Sequence, residues 1–148
     1  MACSPEVEAR RRELEREAPV RARAVWQETV WNGKPVCLLC GTLGADFDAW
    51  QRRLSVLSAA DAYLSQQIGL TLIEREMDAV EGAARAAVER TGRALRPRRS
   101  PGYGELPLAL SRDILAHLDA TKRIGVSLTE SNLLVPSKSV TAICEIIT

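Results

Sequence analysis

The residues best suited to binding chemistry lie in the segment 98–107, which reads RRSPGYGELP. Arg98 or Arg99 can hold a carboxylate through two parallel hydrogen bonds, because the guanidinium group is planar. Gly102 lets a ligand approach the main chain closely, and Tyr103 adds an aromatic face with a hydroxyl. Together these groups would suit a ligand with a flat base at one end and a carboxylate at the other.

The surrounding stretch, residues 93–107, contains three prolines and two glycines and therefore predicts a loop or extended chain. Composition alone favours an ordered turn with a solvated basic flank. The segment is nevertheless fixed between two helical patterns, and loops held in this way often carry binding residues.

Helical periodicity flanks this loop on both sides. A stripe of apolar residues predicts one long helix over about 59–90, with Gly92 as its end and Gly69 as the place for a bend. Asp46 is the predicted cap of an earlier helix, and a helix after the loop should stop near Gly125. The apolar stripe of the earlier helix consists of Phe47, Trp50, Leu54 and Leu57.

Two regions predict strands. Asn32-Gly33 lies between apolar runs and predicts a β-hairpin over about 25–42, since both turn positions need positive φ. The C-terminal part predicts two or three strands broken at Pro136, with one face formed by Val140, Ala142, Cys144 and Ile146. The order of elements predicts an α+β domain with a largely antiparallel sheet, helices packed to one side, and one long central helix.

The bulk composition fits one compact domain. The chain has 148 residues, 46% of them hydrophobic. Residues 5–22 are rich in Glu, Arg and Ala and predict a solvated helix with few core positions. We therefore divide the chain into a charged N-terminal helix over 1–24 and the main domain over 25–148.

Several classes of function are disfavoured by charge and patterning. The net charge of +1 is too small to steer the whole molecule to nucleic acid or to an anionic membrane. The arginines of residues 93–99 form a local basic run, but only one aromatic accompanies them and no nucleic-acid-binding module is recognisable. No secretory signal or bilayer-spanning run is seen, and four cysteines without such a signal indicate reduced thiols in the cytoplasm.

Neither a metal site nor an acid–base site emerges from the sequence. Cys37 and Cys40 invite a metal assignment, but on a strand they would point to opposite faces and could not share one ion. Buried, inert thiols are the favoured interpretation. The only histidine, His117, falls in a predicted helix and is interpreted as a surface or packing residue.

The loop motif and a second motif together resemble a known family. Arg98-x-x-Pro-Gly-Tyr is followed about 30 residues later by Leu-Thr-Glu-Ser at 128–131 and Val-Pro-Ser-Lys-Ser-Val at 135–140. This order and spacing resemble the activation domain of cobalamin-dependent methionine synthase, above all its short free-standing members. The Gly-Thr-Leu-Gly turn at 41–44 stands where those members carry a Thr-Leu-Gly turn, and the resemblance covers roughly 36–145.

The resemblance implies a ligand and partners. Arg98 would contact the methionine end of S-adenosylmethionine, and the loop with Ser100, Gly102 and Tyr103 would receive the adenosine. The neighbouring family segment adds two residues as cleft lining, Glu130 and Ser131. The cobalamin would be carried by a partner, either a methionine synthase or another corrinoid protein. A flavodoxin-like donor would supply the electron.

In this interpretation the chain supports reductive methylation of cobalamin within methionine biosynthesis. It would be a component of a methyltransferase rather than a complete enzyme, and it would contribute no catalytic residue of its own. The alternative is an interaction module that docks on a corrinoid methyltransferase without binding a small molecule. The charged N-terminal helix, poor in core residues, motivates that alternative.

Overall fold

The computed structural model describes residues 4–148, which form an antiparallel sheet held between helices. The helices are α1 (Pro5–Glu17), α2 (Ala45–Leu57), α3 (Ala59–Glu89), α4 (Leu110–Leu118) and α5 (Ala120–Ile124). The strands are β1 (Arg23–Trp31), β2 (Lys34–Thr42), β3 (Ala94–Leu95), β4 (Ser127–Leu128), β5 (Leu134–Val135) and β6 (Ser139–Ile147). The main sheet has the order β1-β2-β6-β3, and β4 and β5 form a separate hairpin. The predicted α+β class with one long helix is confirmed.

The predicted hairpin is present as β1 and β2. Asn32 and Gly33 have φ values of 50° and 77°, so both turn positions are left-handed as a tight two-residue hairpin turn requires. The pairing runs one-to-one from Arg23 opposite Thr42 to Trp31 opposite Lys34. The turn therefore sets the register of the whole hairpin.

Helices cover both faces of the sheet, which corrects the expectation that they pack to one side. Cys37 and Leu39 of β2 face a core shared with α1, α2 and α3. Leu38 and Cys40 face a second core, shared with α4 and α5. The near-continuous apolar run of β2 is the sequence signal for burial on two faces.

Helix α2 follows its predicted stripe only in part. Phe47, Trp50 and Leu54 are buried, but Leu57 at the C-terminal end is 79% exposed, so its predicted core position is wrong. Asp46 is not the cap either. The cap is Gly44, whose φ of 91° suits glycine and whose N–H donates to the Thr42 hydroxyl at 3.1 Å.

The long helix α3 runs unbroken past Gly69, where the sequence suggested a bend. This glycine serves close packing instead. A Cβ atom there would lie 2.8 Å from Cε of Lys138 and 2.9 Å from Cε1 of Phe47. Lys138 crosses the helix at this point and donates to Oε1 of Gln66 at 2.7 Å.

After the loop, the chain forms two short helices in place of the single one expected. Asp119, with φ of 52°, separates α4 from α5, and Gly125 with φ of 73° ends α5 as predicted. Strand β6 then buries one face against the α3 side, as expected. The residues of that face are Val140, Ala142, Cys144 and Ile146.

The N-terminal helix α1 packs on α3 through a buried leucine and two ion pairs, Arg10 with Asp61 and Glu15 with Arg75 at 3.7 Å. Leu14 is completely buried in the core shared with α3. Arg10 donates to both carboxylate oxygens of Asp61, at 3.1 and 2.8 Å. The helix is therefore less solvated than its composition indicated, whereas the division of the chain after residue 24 stays a prediction.

We expect the substitution Leu14→Ala to lower the free energy of unfolding by about 2–5 kcal/mol, the usual cost of emptying a buried leucine site. Urea denaturation followed by far-UV circular dichroism measures this difference. Val7→Ala is the matched control, since Val7 is an exposed residue of the same helix and its truncation should cost under about 0.5 kcal/mol. Equal effects of the two substitutions would show that α1 is undocked in solution.

Candidate functional site

The arginine-led loop is anchored along the open side of β6. Arg99 exchanges two backbone hydrogen bonds with Ile143, each 2.9 Å, and the Arg96 N–H donates to the Glu145 carbonyl at 2.9 Å. Beyond this point the loop turns away from the sheet. Gly102, with φ of 90°, donates its N–H to the Leu106 carbonyl at 2.9 Å and closes the turn. A short extended segment thus presents the loop beside the sheet.

A cleft of about 790 Å³ opens between this loop, helix α3, the β4–β5 hairpin and the first half of β6. Its size lies in the range of small-molecule sites. The lining comprises Glu74, Arg98, Arg99, Ser100, Pro101, Tyr103, Gly104, Leu108, Ser111, Asn132, Leu133, Leu134, Ser137, Ser139, Val140 and Thr141.

The structure brings some of the predicted site residues together. Arg98, Ser100 and Tyr103 line the cleft. Gly102 belongs to the same loop but does not line it. The two residues proposed from the neighbouring motif, Glu130 and Ser131, lie exposed in the turn of the β4–β5 hairpin, next to lining residues. Their role in ligand binding stays a prediction.

Sequence reasoning missed the acidic helix face that meets Arg98. The guanidinium donates from Nη1 to Asp78 and Glu81, both at 2.8 Å, and from Nη2 to Glu74 at 2.7 Å. These acids follow a spacing of four and three residues on α3, which places them on one helix face. That spacing was visible in the sequence, but nothing in it indicated that the face lies opposite the loop.

The two arginines of this cluster stabilise the charged form of Glu81. Burial by itself raises the pKa of Glu81, but hydrogen bonds from Arg85 and Arg98 outweigh it, and its pKa lies below the usual value. Three carboxylates face the two guanidinium groups, which leaves one negative charge in excess beside the cleft. A cationic ligand group is therefore favoured at this end.

Hydroxyl groups tie the opposite wall of the cleft to the turn at 41–44. Ser139 donates to the Thr42 hydroxyl at 2.8 Å, and the Leu43 N–H donates to the Lys138 carbonyl at 2.9 Å. Asp48 accepts from both the backbone N–H and the hydroxyl of Ser137 at 2.8 Å. The Gly-Thr-Leu-Gly turn at 41–44 and the Val-Pro-Ser-Lys-Ser-Val motif at 135–140 are thus in direct contact.

The remaining arginines of the basic run lie near carboxylates, although Arg96 and Arg99 share one. Arg93 forms a two-pronged pair with Glu28, with both distances 2.8 Å. Arg96 and Arg99 both approach Glu145, at 3.8 and 3.7 Å. This pairing leaves little free positive charge for a nucleic-acid backbone.

Cys37, Cys40 and Cys144 are free, buried thiols. Cys37 and Cys40 belong to the cores on opposite faces of the sheet, as expected for a strand. Burial raises the pKa of Cys37 to about 11, and that of both Cys40 and Cys144 to about 12. Within residues 4–148 no cluster of potential ligands could hold a metal ion, and Cys3 lies outside that range.

His117 is an exposed residue that contacts an aromatic ring, in line with its interpretation as a surface or packing residue. Its ring meets the Trp31 ring edge-on, with centroids 5.6 Å apart and an interplanar angle of 77°. Across the described part of the chain, no helix has the length and apolar character needed to cross a bilayer. The cytoplasmic location stays a prediction.

Comparison with solved structures finds chains of similar fold. The chain is similar to the crystal structure of the MetH reactivation domain bound to AdoHcy, with a TM-score of 0.52 and 21% sequence identity. The two folds are similar. The match covers 75% of this chain but only 39% of that chain, so this chain spans well under half of the MetH domain. No family model and no curated protein matches the chain.

The cluster of Arg98 and Glu81 predicts a specific loss of stability in acid. Because the pKa of Glu81 is lowered on folding, its contribution to stability is present above the usual glutamate pKa and is lost as pH falls through the folded-state value. We expect Glu81→Gln to make the fall in unfolding free energy between about pH 6 and pH 3 shallower. Urea denaturation at several pH values measures the slope.

Glu130→Gln is the matched control for this measurement, because Glu130 is an exposed acid of the hairpin turn. Its slope should equal that of the unaltered protein. An unchanged slope in Glu81→Gln would show that Arg85 and Arg98 do not stabilise the Glu81 carboxylate in solution.

The raised thiol pKa values predict low reactivity in the folded protein. At neutral pH we expect Cys37, Cys40 and Cys144 to resist iodoacetamide, because the thiolate is the reactive form and all three side chains are buried. Mass spectrometry of the digested protein identifies the modified peptides. All three should react after denaturation in guanidinium, and rapid native-state labelling of Cys37 or Cys40 would overturn the assignment as inert core thiols.

Proposed function

We propose that the cleft binds S-adenosylmethionine, and its demethylated product S-adenosylhomocysteine, in support of reductive methylation of a cobalamin carried by a partner protein. One observation carries the proposal. Residues of the Arg98 loop and of the second motif, among them Ser137, Ser139 and Val140, line one cleft in a fold similar to that of a MetH reactivation domain bound to AdoHcy.

The chemistry of the lining fits such a ligand. Tyr103, Leu108 and Leu133 offer aromatic and apolar surface for a base, while Ser100 and Asn132 offer polar groups for a ribose. The excess negative charge on the α3 side favours a sulfonium or an ammonium group. S-Adenosylmethionine carries a base, a ribose and both cations in one molecule.

Arg98 would have to exchange a partner to hold the ligand carboxylate. Glu81 is its least exposed partner, with 11% of the side chain exposed against 62% for Glu74. Glu74 would be hydrated after losing Arg98, whereas the buried Glu81 would be left without an opposite charge. Replacing Glu74 therefore costs less free energy than replacing Glu81. We infer that a ligand carboxylate replaces Glu74 on Nη2 of Arg98.

The chain's own part in the reaction is to position and to shield. When bound, S-adenosylmethionine supplies an activated methyl group to the reduced cobalt of the partner's cobalamin. The lining residues hold the nucleoside and exclude water, and neither an acid nor a base of this chain is required. The partner would be a methionine synthase or another corrinoid protein, with a flavodoxin-like electron donor, in cytoplasmic methionine biosynthesis.

The cleft rim fits a partner that presents an apolar surface. Tyr103, Leu108, Leu133 and Val135 are all exposed although each is large and apolar. Exposed apolar groups gathered around a cleft are typical of an interaction site. A corrin ring and its protein pocket would provide the matching surface.

An interaction module without a small-molecule site is the second candidate. The observation that favours it is the occupied state of Arg98, whose guanidinium already binds three carboxylates. In this function the rim residues dock on the corrinoid protein, and the α3 acids serve only to fix the loop.

Isothermal titration with S-adenosylmethionine and S-adenosylhomocysteine separates the two functions. We expect saturable heat from the unaltered protein and an affinity at least about tenfold weaker in Arg98→Ala, because a charge-assisted hydrogen bond is lost. Arg96→Ala is the matched control, since Arg96 is an exposed arginine of the same segment that does not line the cleft. It should bind like the unaltered protein.

Two results would contradict binding in the cleft. The absence of heat from the folded, unaltered protein, together with its capture by a cobalamin-loaded methionine synthase, would support the interaction module. Undiminished heat in Arg98→Ala would place the ligand elsewhere. Circular dichroism of each variant shows whether the fold is retained.

A further inference from the structure

The outer edge of β1 is open. This strand ends the main sheet, and among residues 4–148 no strand pairs with its second side. Trp31 and Lys34 flank a two-residue turn and therefore form a hydrogen-bonded pair. From there, hydrogen-bonded and non-hydrogen-bonded pairs alternate along the hairpin. The N–H and C=O groups that point outward consequently belong to Ala24, Trp26, Glu28 and Val30. In the described part of the chain no backbone group outside the hairpin bonds to them.

Of the features that normally protect a terminal strand, this edge has only the charged residues Arg23 and Glu28. It is nine residues long, pairs without a bulge, and contains neither proline nor lysine. Val30 is 65% exposed on it. Long, regular edges of this kind recruit another strand, because every outward N–H and C=O gains a partner.

The sequence of β1 is complementary to itself in the antiparallel direction. A two-fold axis through Gln27 aligns all nine residues of two copies. It places Val30 opposite Ala24 and Glu28 opposite Trp26, so that the exposed valine meets a small residue and no like charges face each other. An axis through Glu28 would set two carboxylates against each other, which disfavours that register.

We propose that this protein forms a two-fold symmetric homodimer in which the β1 strands of two copies pair and join two four-stranded sheets into one. The arrangement keeps each apolar face of the sheet continuous across the axis, because paired residues in it point to the same side. The cleft lies by β6 at the other edge of the sheet and remains open. The inference therefore stands apart from the proposed function.

The first test removes one outward donor. Val30→Pro deletes an N–H that serves only the proposed contact, whereas Val30→Thr keeps the donor and controls for the lost apolar surface. In sedimentation velocity over roughly a hundredfold range of concentration, the unaltered protein and Val30→Thr should shift from monomer to dimer. Val30→Pro should weaken dimerisation at least about tenfold. A monomer at every concentration overturns the proposal, and so does an equally strong Val30→Pro dimer.

The second test does not depend on how well the proline variant folds. Across the axis Gln27 would face its own copy in a non-hydrogen-bonded pair, where Cα atoms lie about 4.5 Å apart and a disulfide fits. In a Cys3→Ser background, Gln27→Cys should form a disulfide-linked dimer with oxidised glutathione. Gln67→Cys, exposed on α3, is the matched control and should remain monomeric. Equal rates of crosslinking, or none at residue 27, would contradict β1 pairing.

Discussion

Burial of β2 on both faces is the constraint on which the rest of the structure depends. Its side chains enter two separate cores, with Leu39 in one and Leu38 in the other. A strand without a solvated face needs helices above and below it, and strands on both sides to satisfy its backbone. The chain meets these needs with α3 on one face, α4 and α5 on the other, and β1 and β6 as neighbours. The open positions of the molecule are left to the periphery, at the edge of β1 and beside β6.

The cleft beside β6 is built partly from segments that have little regular structure of their own. Its walls are kept in place by discrete hydrogen bonds, such as those from Ser139 to Thr42 and between Ser111 and Thr141, both 2.8 Å. Buried hydroxyl pairs of this kind are directional and would be costly to leave unpaired. They fix β6 relative to the turn at 41–44 and to helix α4, which apolar packing alone would leave adjustable.

The Arg98 cluster joins a buried part of the domain to the wall of the cleft. The guanidinium compensates the buried carboxylate of Glu81 and also reaches the exposed carboxylate of Glu74 at the cleft. In the proposed function a ligand carboxylate would compete with an existing partner of Arg98, so the acids of α3 would affect affinity as well as folding. A shared fold with a nucleoside-binding domain does not decide that competition, because function resides in the site rather than in the fold.

The sequence by itself determined the elements whose signals are local. The Asn32-Gly33 turn, the long helix and the alternation along β6 were all predicted, because each depends on backbone conformation or on the period of apolar residues. The loop of Arg98 was also found, since its prolines and glycines exclude regular structure. Only the tertiary structure decided what surrounds that loop. The carboxylates of α3 meet Arg98, and helices cover both sheet faces, through contacts between residues far apart in the chain, which no local periodicity encodes.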